Sequence, residues 1–459
     1  MPYRLLETAY THALQYLATL PDRPVIGSAD YASLLAALGG PVPDRESDPR
    51  TVIDSLSREA ALGVMATAGP RYFGFVIGGS LPVAVAADWI ATAWDQNAAL
   101  YVMSPAAAAI EEIAARWVLD LLSLPPSASV GFVTGAHTAN VTALAAARHD
   151  VLRRAGWDVE SDGLQGAPRV TVLAGQEAHT SISAACRMIG LGSSTIVRVA
   201  SDDQGRMRAG QLEAALASTS GPRIVCVQAG NVNTGASDPF GEVVRVSHDH
   251  GAWVHVDGAF GLWAAAVPAL THLVAGVERA DSWTTDAHKW LNVPYDCGIV
   301  ITAHPAAHRA AMSQAAAYLI PAPNEERDGI DWVPEASRRA RAIPVYAVLR
   351  QLGRSGLAGL VERCCRLATR MAARLESSPG VVILNEVVLN QVLVRFDADG
   401  VNVTPAVIAA VQADGTCWCG GTNWQGQPAM RISVSNWRTT EDDADRSADA
   451  ILAAFDALR

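Results

Sequence analysis

The sequence predicts an α/β protein whose helices cover a mostly parallel central sheet, and three observations lead there. From about residue 128, short β-branched runs at 130–134, 169–174, 195–199, 223–228, 253–257 and 298–302 alternate with helical segments. That alternation is what a helix-covered parallel sheet leaves in a sequence. Two of the runs close on groups suited to a cleft: one ends in Asp257, and another leads into Gln-Ala-Gly-Asn-Val-Asn-Thr-Gly at 228–235. Ligands of open α/β sheets bind at such carboxyl ends. Finally, 459 residues allow about three domains on a rough prior of ~150 residues each.

Taken in order, residues 1–80 read as a helical arm, with helices at 5–20, 30–38 and 51–66 and a Pro- and Asp-rich break at 40–50. Ser104 followed by Pro105 marks a helix start, and Ile110, Ile113, Trp117 and Leu121 mark one apolar face of that helix. Residues 81–325 form the large α/β domain. Past a loop at about 320–335, a long helical stretch from Arg338 and strands at 381–384, 391–396 and 430–434 form a smaller α+β domain over 326–459.

The bulk chemistry excludes several classes. The most apolar stretches, 75–94 and 254–270, are broken by Gly, Pro and Asp short of the ~18 residues a membrane span needs. The amino terminus lacks the basic and apolar regions of a secretion signal, so a cytoplasmic protein is expected. Seven cysteines, odd in number and scattered, fit reduced thiols, and Cys417-Trp-Cys419 has no second ligand pair, so no metal is expected. A net charge of −11 without a basic run speaks against nucleic acid.

The chemistry gathers in two stretches. Asp257 closes Trp-Val-His-Val-Asp at 253–257, and Lys289 follows 32 residues later in Asp-Ala-His-Lys-Trp-Leu at 286–291. An isolated strand-end aspartate is usually a turn cap, and an isolated lysine is usually solvated. Here the lysine lies between His288 and Trp290 in a loop flanked by apolar strand patterns, which favours a partly buried amine. A lysine that forms a Schiff base with an aldehyde, and an aspartate that holds a pyridine nitrogen protonated, are what pyridoxal phosphate requires. Around them, Gly131 to Val141 runs from a strand through Thr-Gly-Ala-His into a helix, a turn whose amides can face a phosphate. His179, in Glu-Ala-His-Thr-Ser at 177–181, is either a helix cap or a ring able to stack on a cofactor. Asn231 suits either a hydrogen bond at a ligand edge or a tight turn.

The ordered set Thr-Gly-Ala-His-Thr-Ala-Asn, Glu-Ala-His-Thr-Ser, Gly-Asn-Val-Asn-Thr-Gly, His-Val-Asp-Gly-Ala-Phe and Asp-Ala-His-Lys-Trp-Leu resembles the group II pyridoxal-phosphate decarboxylases, which act on aromatic amino acids and glutamate. The likeness extends from about Gly69 to Arg438. It implies a fold type I homodimer with active sites at the subunit interface, acting on an L-amino acid. It assigns Lys289 to the Schiff base and Asp257 to the pyridinium. His179 would lie on one ring face and Ala259 on the other, with Ala136 and His137 at the phosphate, His288 beside the lysine and Asn231 at the cofactor edge. Three departures stand out. His137 replaces a common Ser or Thr, Gly230-Asn231-Val232 replaces a common Gly-Thr-Thr, and the loop tyrosine of many relatives is missing near Asp328-Gly329, with Tyr318 the nearest upstream candidate.

The same scaffold supports oxidative decarboxylation to an aldehyde, aldol cleavage or transamination as alternatives. A non-catalytic cofactor-binding regulator would be expected to have lost Lys289 or Asp257, and both are present. Gly190-Leu-Gly192 lacks the third glycine of a dinucleotide fingerprint.

Overall fold

A computed structural model of the chain describes residues 2–314 and 326–459, and Tyr318 lies outside them. The chain forms two compact units. One contains Ser80–Arg366 and Asn385–Gln391, and the other contains Met1–Gly79, Leu367–Leu384 and Val392–Arg459.

The first unit is built on a seven-stranded sheet of β1 (Ser129–Val133), β2 (Thr171–Gly175), β3 (Ile196–Val199), β4 (Arg223–Gln228), β5 (Trp253–Asp257), β6 (Ser282–Asp286) and β7 (Gly298–Thr302). Their order is β1-β7-β6-β5-β4-β2-β3. The β2/β3, β2/β4, β4/β5 and β5/β6 pairings are parallel, whereas β7 runs antiparallel to both β1 and β6. Register brings Val133, Gly298 and Asp286 to one level, pairs Asp257 with Thr284 and pairs Gln228 with Asp257. The carboxyl ends of β1, β6, β5 and β4 therefore share one edge of the sheet.

β6 corrects the sequence reading, which left 282–286 in a loop. Thr284, Thr285 and Asp286 are polar, but Thr is β-branched, and between β5 and β7 these side chains are fully buried. Small residues then let elements approach. Gly298 opens β7 against the turn after β1, where a Cβ would stand 2.4 Å from the Gly135 carbonyl carbon.

Before the sheet run α1 (Leu5–Thr19), α2 (Tyr31–Leu38), α3 (Pro49–Ala60), α4 (Pro82–Trp94) and α5 (Pro105–Leu121); α6 (Ala136–Arg154) follows β1. Ser104 caps α5 as expected, its Oγ accepting the Ala107 N–H at 3.3 Å. Its buried face agrees with the expected one at Leu121 and departs from it elsewhere: Ala107, Glu111, Ala114, Ala115, Val118 and Leu119 are also buried, Ile110 and Trp117 are half-buried, and Ile113 is exposed. Small residues allow close packing on that face, and Glu111 is there as a counter-charge.

That carboxylate solves the problem of the edge strand. β1 has a neighbour on one side only, so its outward carbonyls need donors. Arg327 donates to the Val130 carbonyl, Arg338 donates to the Phe132 carbonyl at 2.9 Å, and Glu111 lies 2.7 Å from Arg338 and 3.4 Å from Arg327. Arg338, Arg339 and Arg341, three arginines close together in sequence, read from sequence alone as solvated or surface-paired. Arg339 does pair with Asp88 and Arg341 with Asp296, but the Arg338 side chain is 0% exposed.

The second unit holds α1 to α3 and a five-stranded sheet of β8 (Val381–Ile383), β9 (Gln391–Ala398), β10 (Val401–Asn402), β11 (Gly420–Trp424) and β12 (Gln427–Ser433). β11 is a second strand the sequence reading missed, its Gly-Gly start carrying no strand signal. Buried Arg71 donates to the Thr416 carbonyl at 2.8 Å and pairs with Asp443 at 3.2 Å. The Phe73 N–H donates to the Trp418 carbonyl at 2.9 Å, and Trp418 stacks on Tyr72 at 5.0 Å. Trp424 packs with Leu393 and Ala429.

Two expectations about stability follow. Replacing Glu111 by Ala leaves two buried guanidinium groups without a counter-charge, and loss of a buried partner costs roughly 3–5 kcal/mol. A lowered urea midpoint is expected, and an unchanged one would refute the pairing. Asp281 accepts from His248 at 3.0 Å, from His304 at 2.8 Å and from the Val254 N–H at 2.7 Å. Burial opposes its ionisation, but these donors hold its carboxyl at about 2, below the ordinary 3.8. Its contribution is present above the ordinary value and lost as pH falls towards about 2. The hydrogen bond to Asp281 raises His304 above 6.5, so that half of the pair weakens as pH rises through the raised value. Unfolding midpoints of Asp281→Asn should therefore lose the acid limb of the native pH profile; an identical profile would contradict the assignment.

Candidate active site

The shared strand edge collects the residues singled out by sequence. Lys289 lies three residues beyond β6, in the β6–β7 loop. The Ala287 and His288 N–H groups both donate to the Cys297 carbonyl, at 3.0 and 3.2 Å, and Trp290 and Leu291 are fully buried. This anchoring aims the lysine, whose side chain keeps 20% exposure. Its Nζ lies 2.8 Å from Asp286 Oδ2. The other Asp286 oxygen accepts the Ala136 N–H at 2.6 Å, at the first turn of α6. An anionic group thus already sits against this helix start, where unpaired amides and the helix dipole favour one.

His288 is held on both sides. Its Nδ1 accepts the Cys297 N–H at 3.1 Å, which places any single proton on Nε2, 3.5 Å from Asp286 Oδ1. Its ring packs against Tyr295 at 4.3 Å. Burial is the main influence on its pKa and lowers it, against the pull of Asp286, so the ring is neutral near pH 7.

Asp257 ends β5 and is nearly buried. Its Oδ2 accepts from Asn140 Nδ2 at 3.2 Å and lies 3.3 Å from Ser181 Oγ, and its Oδ1 accepts the Ala259 N–H at 3.3 Å. The Asp286 N–H donates to the Ala259 carbonyl at 2.9 Å, so the Asp257 and Lys289 segments are joined through one residue. His179 caps the helix Thr180–Met188, with Nδ1 accepting the Ser181 N–H at 3.3 Å and lying 2.8 Å from Ser181 Oγ. The helix-cap reading of this histidine therefore holds, and Ser181 links it to Asp257.

The remaining candidates are less central. His137 is exposed, with Nε2 3.3 Å from Met188 Sδ. Buried Asn231 serves its own turn, Oδ1 accepting the Asn233 N–H at 2.8 Å and Nδ2 donating to the Glu177 carbonyl at 3.3 Å. Asp328 accepts the Tyr101 N–H at 2.7 Å, and a Cβ on Gly329 would strike the Arg338 guanidinium, so the stretch where relatives carry a tyrosine is packed here against buried backbone.

Sequence reasoning missed Asp286, Asn140 and Ser181. It also passed over a plain signal: the chain has 35 basic Lys and Arg residues, and Lys289 is its only lysine. The arrangement therefore offers one side-chain amine, a strand-end carboxylate for a ring nitrogen and a helix start for an anion.

Comparison with known proteins bears on the family and the fold. The pyridoxal-dependent decarboxylase conserved domain matches residues 34–397. An aromatic-L-amino-acid decarboxylase of Bacillus atrophaeus is 25% identical over 94% of this chain and 90% of its own length. A phenylacetaldehyde synthase of Arabidopsis thaliana is 24% identical over 93% of this chain and 90% of its own. The crystal structure of a decarboxylase from Oryza sativa, described as TDC with PLP and tryptamine, superposes with a TM-score of 0.91 at 23% identity, covering 99% of this chain and 97% of the other. The match over most of the sequence, together with the fold type I architecture, establishes that the chain belongs to the pyridoxal-dependent decarboxylase family, lyases of amino acid metabolism whose cofactor is pyridoxal phosphate.

Proposed function

We propose that this protein decarboxylates an L-amino acid to an amine and CO2, with Lys289 as the cofactor-holding and catalytic lysine. The carrying observation is that the chain's only lysine stands 2.8 Å from a buried carboxylate at the strand edge where Asp257 also ends. Bound pyridoxal phosphate supplies an aldehyde that condenses with amines and a ring that withdraws electrons from the bonds of the attached carbon. The residues do the rest. Asp257 would accept a hydrogen bond from the ring nitrogen, His179 and Ala259 would hold the ring between them, and Ala136, His137 and His288 would serve the phosphate side. Asn231 shapes the turn at the cofactor edge.

Lys289 would hold the cofactor at rest and, once released by the substrate amine, would be free to move a proton, with its Nζ 2.8 Å from Asp286 Oδ2. After CO2 leaves, the former α-carbon needs a proton. Lys289 is placed to donate it, which suits a chain without a tyrosine at Asp328-Gly329. His179 is the second candidate donor.

Oxidative decarboxylation to an aldehyde is the second reading. It is favoured by the missing tyrosine and by the likeness to a protein named for phenylacetaldehyde synthesis. Incubation with each proteinogenic amino acid, with CO2, amine, aldehyde and ammonia measured together, separates the two. Amine equal to CO2 supports the first reading; aldehyde and ammonia equal to CO2, with oxygen consumed, supports the second.

A homodimer in the cytoplasm is part of this proposal. α1, α2 and α3 bury no residue within their own unit and expose Leu6, Tyr10, Leu14 and Leu35, an apolar set that a second copy would cover. Among the described residues no helix is long and apolar enough to cross a membrane.

Lys289→Ala should abolish every borohydride-fixed cofactor adduct on a side chain, because no other lysine exists. An adduct persisting at a side chain would overturn the lysine assignment. Asp257→Ala should still bind cofactor but lose kcat by orders of magnitude, since the ring then withdraws electrons poorly. Near-native turnover would remove Asp257 from the ring nitrogen.

A further inference from the structure

Beyond the residues facing the cleft, a line of buried polar side chains runs inward from Asp257 through the sheet. Trp253 Nε1 donates to Ser282 Oγ at 2.9 Å, and Ser282 Oγ lies 2.9 Å from His255 Nδ1. His255 Nε2 lies 2.9 Å from Asn140 Oδ1, and Asn140 Nδ2 donates to Asp257 Oδ2 at 3.2 Å and to Ser181 Oγ at 3.1 Å. Trp253, Ser282, His255 and Asn140 are each 1% exposed or less.

Hydrogen-bond polarity leaves this line one direction. An indole N–H only donates, so Ser282 accepts from Trp253; the Asp257 carboxylate only accepts, so Asn140 turns its NH2 to Asp257 and its Oδ1 to His255 Nε2, which leaves His255 Nδ1 to accept the Ser282 proton. Burial lowers His255 to about 4, so the ring is neutral and has one N–H. With Nδ1 accepting, that proton is on Nε2 and is donated to Asn140 Oδ1. The Asn140 amide is then fixed with its NH2 towards Asp257 and Ser181. A flipped amide would set oxygen against a carboxylate and leave His255 Nε2–H facing an NH2 group.

We propose that Trp253, Ser282, His255 and Asn140 form a one-directional hydrogen-bond relay that positions Asp257 as the acceptor for the cofactor ring nitrogen. The inference rests on the assignment of Asp257 to that nitrogen. These are positioning residues: they touch neither cofactor nor substrate, and they act by fixing which way the donor beside Asp257 points. The sheet supplies the geometry. Trp253, His255 and Asp257 share one face of β5 by strand alternation, Ser282 is the register partner of His255 on β6, and Asn140 stands one turn into α6.

The relay is tested in the full chain by two spectroscopic readouts. Without cofactor, 15N-histidine NMR should report His255 with Nδ1 unprotonated and hydrogen-bonded and Nε2 protonated, and Ser282→Ala should shift the Nδ1 resonance as that hydrogen bond is lost. With cofactor 15N-labelled in the ring, Asp257→Ala, Asn140→Ala and Ser282→Ala should each displace the ring-nitrogen resonance. Losing a hydrogen bond to a charged group is worth roughly ten- to hundredfold, so Asn140→Ala should lose about that much kcat with KM little changed. His255→Gln, which can still present an N–H to Asn140, should retain more turnover than His255→Phe. If Ser282→Ala fails to fold, Trp253→Phe makes the same test by removing the terminal donor. A ring-nitrogen resonance moved by Asp257→Ala but by neither Asn140→Ala nor Ser282→Ala overturns the relay alone. A resonance unmoved by Asp257→Ala overturns the reading beneath it.

Discussion

A sheet covered on both faces leaves its backbone unpaired only at edge strands and strand ends, and the polar architecture of the larger unit answers to that constraint. At the edge strand β1, Arg327 and Arg338 donate to outward carbonyls and Glu111 balances their charge from the buried face of α5. At the strand ends, Gln228, Asp257 and Asp286 close β4, β5 and β6 along one side. Chemistry gathers where the sheet cannot satisfy itself.

The reversal of β7 makes this edge usable. Running antiparallel between β1 and β6, it returns the chain to the same side, so the loop bearing Lys289 is a short connection with both ends pinned. Fully buried Trp290 and Leu291 anchor the loop, and the absent Cβ of Gly298 lets it close against the start of α6. The amine, the carboxylate of Asp286 and the helix start are thereby held together by hydrophobic packing. A chain that meets its need for positive charge with arginine and keeps one lysine presents a single lysine amine to an aldehyde.

Much of this was legible in residue order. The β-branched runs marked six of the seven strands of the large sheet, and Asp257 and Lys289 stood out because strand-end aspartate and flanked lysine suit one cofactor. β6 escaped because Thr284, Thr285 and Asp286 read as a polar loop until strands on both sides bury them, and β11 escaped behind two glycines. The face of α5 was found only in part, at Leu121, because large apolar residues draw attention, whereas close packing also selected alanines and one paired glutamate. Arg338 read as solvated because nothing adjacent in sequence reveals its partner, Glu111, which lies 227 residues earlier.

Local chemistry therefore pointed to the family, the cofactor and the lysine and aspartate proposed to serve it, because those depend on residue type at a strand end or beside a turn. Only tertiary structure decided which groups meet. Asp286 reaches both Lys289 and the α6 amide, and Asn140 stands between Asp257 and His255, 115 residues away in the chain. Hydrogen-bond direction follows from such meetings: a carboxylate that only accepts and an indole N–H that only donates stand at the two ends of the line from Asp257 to Trp253, and no order of residues states that without the sheet that brings them together.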